Sequence, residues 1–215
     1  MARIPLFPND QMSAAQRLAY DKASGGPNGP IRGPTRAILH NPDLADKWRA
    51  MGDLLRNGTS LPLALSELAI LVTARHWTAQ FVWHTHVAPA LKGGLAQSLI
   101  DAIRDNRIPV FANEQEAAVY AYCTELHEHH GVSATTYATA LALLGAAGVV
   151  ELTAIAGYYA MVAMTVNAHD ILPEAALPLG PRQPRTTATP APKPAADAGL
   201  GAGVAVVRGL SLIHI

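Results

Sequence analysis

The sequence predicts an all-α protein, and three observations support that prediction. Alanine is abundant, long stretches lack proline and glycine, and apolar residues recur at the three-to-four-residue spacing of an amphipathic helix. The alternation of apolar and polar residues that marks a half-buried strand is almost absent. The 215-residue chain is 50% apolar and has a formal net charge of zero. It can therefore bury a core, and no overall charge attracts it to nucleic acid or to an anionic membrane.

The first helices are predicted from their cap and stop residues. Ser13 can cap a helix over residues 13–24, and the prolines and glycines of residues 25–34 predict a loop. Asn41 stands before Pro42, the usual pairing of an N-cap with proline at the first helical position. This second helix is expected to stop at Gly58.

The middle of the chain predicts further helices. Thr59 or Ser60 is expected to cap a helical segment that continues through a strongly apolar stretch until Gly93 and Gly94 close it. Another amphipathic helix is expected over residues 95–106.

The second half of the chain predicts three more helices. Asn113 has Glu116 three residues later, which is the capping-box arrangement, and this helix is expected to reach about residue 130. Ser133 can cap a shorter helix to about residue 144, and the last helix is expected over residues 149–171. The prediction is therefore a bundle of about eight helices.

The ends of the chain carry separate expectations. Residues 1–180 are interpreted as one helical domain, and the Pro, Ala and Gly-rich residues 181–215 as a disordered tail. Residues 210–215 resemble a translated sequencing-library adapter, so we give His214 no functional weight. The N-terminus lacks the pattern of a secretory signal, and the apolar run over residues 152–166 is shorter than the roughly 20 residues that span a bilayer. We expect a cytoplasmic protein without membrane contact.

Several classes of site are excluded at the level of motifs. The single cysteine, Cys123, cannot form a disulfide or a two-cysteine redox centre within one chain. No phosphate-binding loop, nucleophile elbow or zinc-protease pair is present. On one helix His84 and His86 point in nearly opposite directions, and His76 lies about 12 Å from His84, so these three side chains cannot share a metal ion. We expect neither a metal nor a cofactor.

Three blocks of the sequence resemble the carboxymuconolactone decarboxylase-like family, which includes the alkyl hydroperoxidase D proteins. The blocks are RGPTRAILHNPDLA at residues 32–45, ELAILVTARHWTAQFVWHTH at residues 67–86, and GVVELTAIAGYYAMVAMTVNAHDI at residues 148–171. The resemblance covers roughly residues 4–180. It implies a helical bundle with a weak internal two-fold pseudo-repeat and assembly into a homo-oligomer.

The resemblance also implies a site. The peroxidase branch of the family carries a glutamate, then Cys-x-x-Cys, then a histidine, and Glu67 and His86 match the glutamate and the histidine. Ala79 and Val82 stand at the two cysteine positions, and neither can supply a thiolate. Peroxidase activity is therefore expected to be lost. A carboxylate and an imidazole remain, which suit proton transfer to the carbon left by decarboxylation of a small organic acid or lactone.

Geometry places a condition on this pair. One continuous helix would hold Glu67 and His86 about 28 Å apart, so a turn must lie between them if they meet within one subunit. Thr78 is the expected position of that turn.

Further residues are candidates for binding the substrate. His84 and Trp83 could line a cavity, or Trp83 could be core and His84 exposed. Arg32 and Arg75 could bind a substrate carboxylate through their planar forks, or they could form structural ion pairs.

Two alternative functions stay open. One is an alkyl hydroperoxidase-like protein with peroxiredoxin activity that depends on Cys123. The other is a non-catalytic ligand-binding oligomer of the same fold. A weak internal echo, Glu151 followed by His169, suggests two similar helical halves, with the second acting as scaffold.

Overall fold

A computed structural model describes residues 2–8, 10–24, 31–175 and 177–181. These residues form eight helices and no β-strand, which confirms the predicted fold class. In chain order the helices are α1 (Ala14–Ser24), α2 (Thr35–Ile38), α3 (Pro42–Asn57), α4 (Leu63–His76), α5 (Gln80–Gly93), α6 (Gln97–Arg104), α7 (Glu114–His129) and α8 (Ala134–Ala168).

Helix α4 is the centre of the fold. It packs against α5, α6, α7 and α8, and every residue from Leu65 to Arg75 is buried. A helix that is apolar on all sides is stable in water only when other elements surround it, and α4 meets that condition. The polar side chains between Leu65 and Arg75 therefore enter the interior of the protein.

Four of the predicted N-caps are present. Each accepts a hydrogen bond from the backbone N–H three residues later, and they are the side chains of Ser13, Asn41, Asn113 and Ser133. Each bond satisfies one of the donors that the first turn of a helix leaves free, so these caps explain where α1, α3, α7 and α8 begin.

The expected cap of α4 was wrong. The helix begins at Leu63, after Pro62, and neither Thr59 nor Ser60 caps it. Ser60 instead donates from its backbone N and its hydroxyl to the Glu151 carboxylate, at 2.9 and 2.6 Å. This long-range contact ties the segment before α4 to α8, and no local pattern could have revealed it.

The last two predicted helices form one element with a kink. Gly145 lies inside α8 with φ 70° and ψ 172°, a backbone conformation outside the helical region that a glycine adopts without steric cost. The predicted gap between residues 144 and 149 therefore corresponds to a change of direction at one residue. The single-turn helix α2 was not predicted.

A left-handed residue ends α4 and begins the turn into α5. Thr78 has φ 49°, its N–H donates to the Arg75 carbonyl, and the N–H of Ala79 donates to the Ala74 carbonyl at 2.8 Å. This pair of bonds is the Schellman motif, in which glycine is the usual left-handed residue. The expected break at Thr78 is confirmed, and it lets α5 fold back against α4.

Some of the predictions from the sequence concern residues that the structure does not describe. These are the tail from residue 182 onward, including residues 210–215, and the part of the predicted loop at residues 25–30. Within the part of the chain that the structure describes, α8 is the one helix whose length and composition would allow it to cross a membrane, with 33% of its most apolar window buried. The core helix of a helical bundle meets the same criterion.

The Thr78 conformation generates a stability prediction. Thr78→Gly and Thr78→Ala both remove the hydroxyl that accepts a long, 3.5 Å hydrogen bond from Arg75, but only glycine relieves the left-handed backbone. We expect the glycine variant to be more stable than the alanine variant by about 1 kcal/mol in urea unfolding. The reverse order, which is normal inside a helix, would contradict this account of the turn.

Candidate functional site

Glu67 and His86 are in direct contact. Glu67 lies on α4 and His86 on α5, and His86 Nδ1 lies 2.8 Å from Glu67 Oε2. The two residues are 5% and 7% exposed. The Thr78 turn brings them together across the α4–α5 pair, as the geometric condition from the sequence requires.

The hydrogen bond orients the imidazole. A carboxylate accepts from Nδ1–H, so in the neutral ring the proton lies on Nδ1 and the lone pair on Nε2. Nε2 bonds to none of the described residues. The edge of Tyr159 on α8 packs against the ring, with centroids 4.9 Å apart at 87°. A fixed imidazole with one nitrogen held by a carboxylate is suited to accept or donate a proton at the other.

His86 lines a cleft of about 1060 Å³ between α3, α5, α8 and the segment around α2. Binding sites for small organic molecules have volumes of roughly 300–1,000 Å³, so this cleft has room for one. Aromatic side chains form part of its wall, namely those of Trp48, Phe81, Tyr158 and Tyr159.

The cleft carries an excess of positive charge. The arginines among its lining residues are Arg32, Arg36, Arg49 and Arg56, whereas Glu174 is the one carboxylate among the described lining residues. Arg36 donates to the Phe7 carbonyl at 2.6 Å, so its position is set by the backbone. Guanidinium groups remain charged at all physiological pH values, and they attract an anionic ligand to the cleft.

The structure separates the four predicted substrate-binding residues into two pairs. Arg32 and His84 are exposed and line the cleft. Trp83 is not among the residues that line the cleft, and its side chain is buried in the core. Arg75 is also buried, and it donates to the Gly180 and Pro181 carbonyls at 3.1 and 3.2 Å. Its position fits the structural alternative, since it holds the chain that follows α8.

Sequence reasoning missed several cleft residues. Arg49 and Arg56 are seven residues apart on α3 and therefore share one face of the helix, a periodic signal that was available. Tyr159 lies in the long apolar run of α8, where nothing in the sequence marks it as a cleft residue. Its position beside His86 depends on how α8 packs against α5, which periodicity does not encode.

The remaining histidines and the internal echo form no second site. Within the described ranges no three metal-binding side chains cluster, and the His76 ring stacks on His127 with centroids 4.9 Å apart. Glu151 is bound by Ser60, and the unbroken part of α8 separates it from His169, so this pair does not repeat the Glu67–His86 contact.

Cys123 lies in the core on α7. Its side chain is fully buried, and burial raises the pKa of the thiol to about 12. A thiol that stays protonated and inaccessible is a poor nucleophile. Cys123 also does not line the cleft.

The buried Glu67–His86 pair generates a prediction about coupling. Removing either partner leaves the other buried and unpaired, so we expect Glu67→Ala and His86→Ala each to destabilise the protein by about 3 kcal/mol. In the double variant the loss of unfolding free energy should be smaller than the sum of the two single losses by about 1–3 kcal/mol, measured by urea unfolding. As a control, Asp170→Asn removes the exposed partner of Arg3 and should change stability by less than about 1 kcal/mol. If the two single losses simply add in the double variant, the contact does not contribute to the free energy of unfolding.

Comparisons with known proteins identify the fold. No protein-family model matches the sequence, and no curated protein matches it. Several solved structures are similar, and three of them are compared with this chain. An alkylhydroperoxidase AhpD core, an uncharacterized peroxidase-related protein of Ralstonia eutropha JMP134, has a TM-score of 0.65 at 13% identity, over 80% of this chain and 92% of that one.

The other two structures agree with the first. An uncharacterized peroxidase-related protein of Silicibacter sp. TM1040 has a TM-score of 0.64 at 12% identity, over 81% of this chain and 92% of that one. A protein of unknown function from Agrobacterium tumefaciens, whose name refers to the antioxidant defence protein AhpD, has a TM-score of 0.58 at 17% identity, over 67% of this chain and all of that one. This chain has the AhpD-like, all-α fold of these proteins.

Proposed function

We propose that this chain is a cofactor-free enzyme that uses Glu67 and His86 to transfer a proton to or from a small organic acid or lactone. The observation that carries the proposal is the buried hydrogen bond between the two side chains at the wall of a large cleft. The fold agrees with the proposal but does not define the chemistry, since one fold can host several reactions.

The proposed step is a decarboxylation. The bond between the substrate carbon and its carboxylate breaks, carbon dioxide leaves, and the electron pair remains on the substrate as an enolate. Nε2 of protonated His86 then gives its proton to that carbon, and the neutral ring regains a proton from water. Glu67 accepts from Nδ1 throughout and stabilises the cationic form of the ring. Glu67 therefore acts as a positioning residue, and His86 is the catalytic acid.

The peroxidase alternative has weaker support. The similar structures include proteins named as peroxidase-related. In this sequence, however, Ala79 and Val82 take the positions that the resemblance assigns to cysteines, and Cys123 is a buried thiol away from the cleft. A reaction that depends on this thiol would require the core to open so that Cys123 becomes accessible.

The expected partners are a small-molecule substrate and further copies of this chain. We propose self-association through one face of α8, on which Val150, Met161 and Met164 are 68%, 40% and 48% exposed. The only charged residue of α8 is Glu151, which is bound by Ser60. Two copies can therefore bury this face without removing a free charge from water. The expectations of a cytoplasmic location and of no contact with nucleic acid or membrane stay predictions.

Turnover tests the proposed chemistry. We would incubate the protein in D2O with a panel of small β-keto acids and lactone acids and follow carbon dioxide release and deuterium incorporation by NMR. His86→Ala should lower the rate on an active compound by about 10²- to 10⁴-fold, because the proton donor is lost. Cys123→Ser should leave the rate unchanged.

Three outcomes would contradict this expectation. Full activity of His86→Ala would reject His86 as the acid. Peroxide turnover that Cys123→Ser abolishes would support the peroxidase alternative. Ligand binding without turnover of any member of the panel would favour the non-catalytic alternative.

Self-association is tested by sedimentation velocity. Met161→Glu and Met164→Glu should lower the sedimentation coefficient, because each places a charge in the apolar contact. Leu18→Glu changes an exposed leucine of α1, 72% exposed, and should have no effect. A monomeric wild-type protein would reject the proposal, and association that appears only after deletion of residues 182–215 would show that the tail covers this face.

A further inference from the structure

The hydroxyl of Tyr159 is buried at the wall of the cleft, next to the Arg56 guanidinium. The residue is 2% exposed and lines the cleft beside His86, and its hydroxyl proton has no acceptor among the described residues. Arg56 can donate to the hydroxyl oxygen but cannot accept its proton. Buried polar groups normally have partners, so the hydroxyl proton calls for an acceptor atom of a ligand.

The neighbouring tyrosine shows the contrast. Tyr158 packs edge-on against Tyr159, with ring centroids 5.3 Å apart, and its hydroxyl donates to the Trp48 carbonyl at 3.2 Å. The fold therefore supplies a backbone acceptor for the hydroxyl proton of Tyr158 and none for that of Tyr159. Burial raises the pKa of Tyr159, so this hydroxyl remains a protonated donor.

Arg56 supplies a second donor at the same place. Its guanidinium lines the cleft and lowers the pKa values of both tyrosines against the larger effect of burial, and it lies close enough to Tyr159 to donate to that hydroxyl oxygen. Its hydrogen bond to Asp53 is long, at 3.5 Å, and uses one of five N–H donors. A hydroxyl donor and a guanidinium that converge on one space match the acceptor oxygens of a carboxylate.

We propose that Tyr159 and Arg56 form a carboxylate-binding subsite that holds an aromatic or similarly planar organic acid against His86. The ring of Tyr159 touches His86, with centroids 4.9 Å apart, so an acid bound there places its body next to Nε2. Trp48 and Phe81 give that body an apolar wall. The placement of the reacting carbon next to His86 rests on the proposed function. Binding of the acid does not depend on turnover and can be measured separately.

Benzoate and benzamide are the probes, because they have nearly the same shape and differ in charge. With the full-length protein we expect benzoate to bind, and benzamide to bind at least tenfold more weakly, by isothermal titration calorimetry. Tyr159→Phe and Arg56→Gln should each weaken benzoate binding about tenfold, the loss typical of one hydrogen bond to a charged group. Circular dichroism would verify that both variants are folded.

A matched control separates the subsite from general loss of a tyrosine hydroxyl. Tyr122→Phe also removes a hydroxyl, one that lies 2.8 Å from Thr153 Oγ1 in a residue outside the cleft lining, and it should leave benzoate binding unchanged. Failure of the wild-type protein to bind benzoate at about 10 mM would overturn the inference, as would equal binding by wild type and Tyr159→Phe.

The test is independent of the catalytic proposal. Loss of turnover in His86→Ala together with equal benzoate affinity in wild type and Tyr159→Phe would reject the subsite and keep the chemistry. Reduced benzoate affinity in Tyr159→Phe together with full turnover in His86→Ala would keep the subsite and reject the chemistry.

Discussion

The hydrogen bond between Glu67 and His86 is the interaction on which the rest of the site depends. Both side chains are buried, and burying either of them without a hydrogen-bond partner would destabilise the fold. Their contact requires α5 to reverse direction against α4, and the left-handed residue Thr78 makes that reversal possible. The most buried helix of the core therefore contributes a carboxylate, and the neighbouring helix contributes an imidazole that reaches the cleft.

The cleft combines an apolar and a cationic environment. One side is formed by aromatic rings, and arginines from α2, α3 and the segment before them add positive charge. An organic acid needs both, because its body is apolar and its carboxylate must exchange water for donors. Tyr159 lies where the two environments meet, since its ring packs on His86 and its hydroxyl, beside Arg56, has no acceptor for its proton among the described residues.

The AhpD-like fold is compatible with more than one chemistry. In this chain the thiol of Cys123 is buried in α7, and the residues around His86 are aromatic and basic. What the scaffold supplies is a rigid pair of helices that holds a carboxylate and an imidazole at hydrogen-bond distance. The reaction then depends on what else the cleft presents to the ligand, and in this protein that is a set of donors for anions.

The sequence by itself determined the helical class and most helix boundaries, and its resemblance to a known family indicated the candidate pair Glu67 and His86. Caps such as Asn113 and the spacing of apolar residues are local signals, and local signals predict local structure. Tertiary structure alone decided that Ser60 binds Glu151, that Arg75 holds the chain after α8, and that Trp83 faces the core. It also brought Arg56 and Tyr159 to one cleft. These outcomes depend on which faces of distant helices meet, and the periodicity of a single helix carries no information about its neighbour.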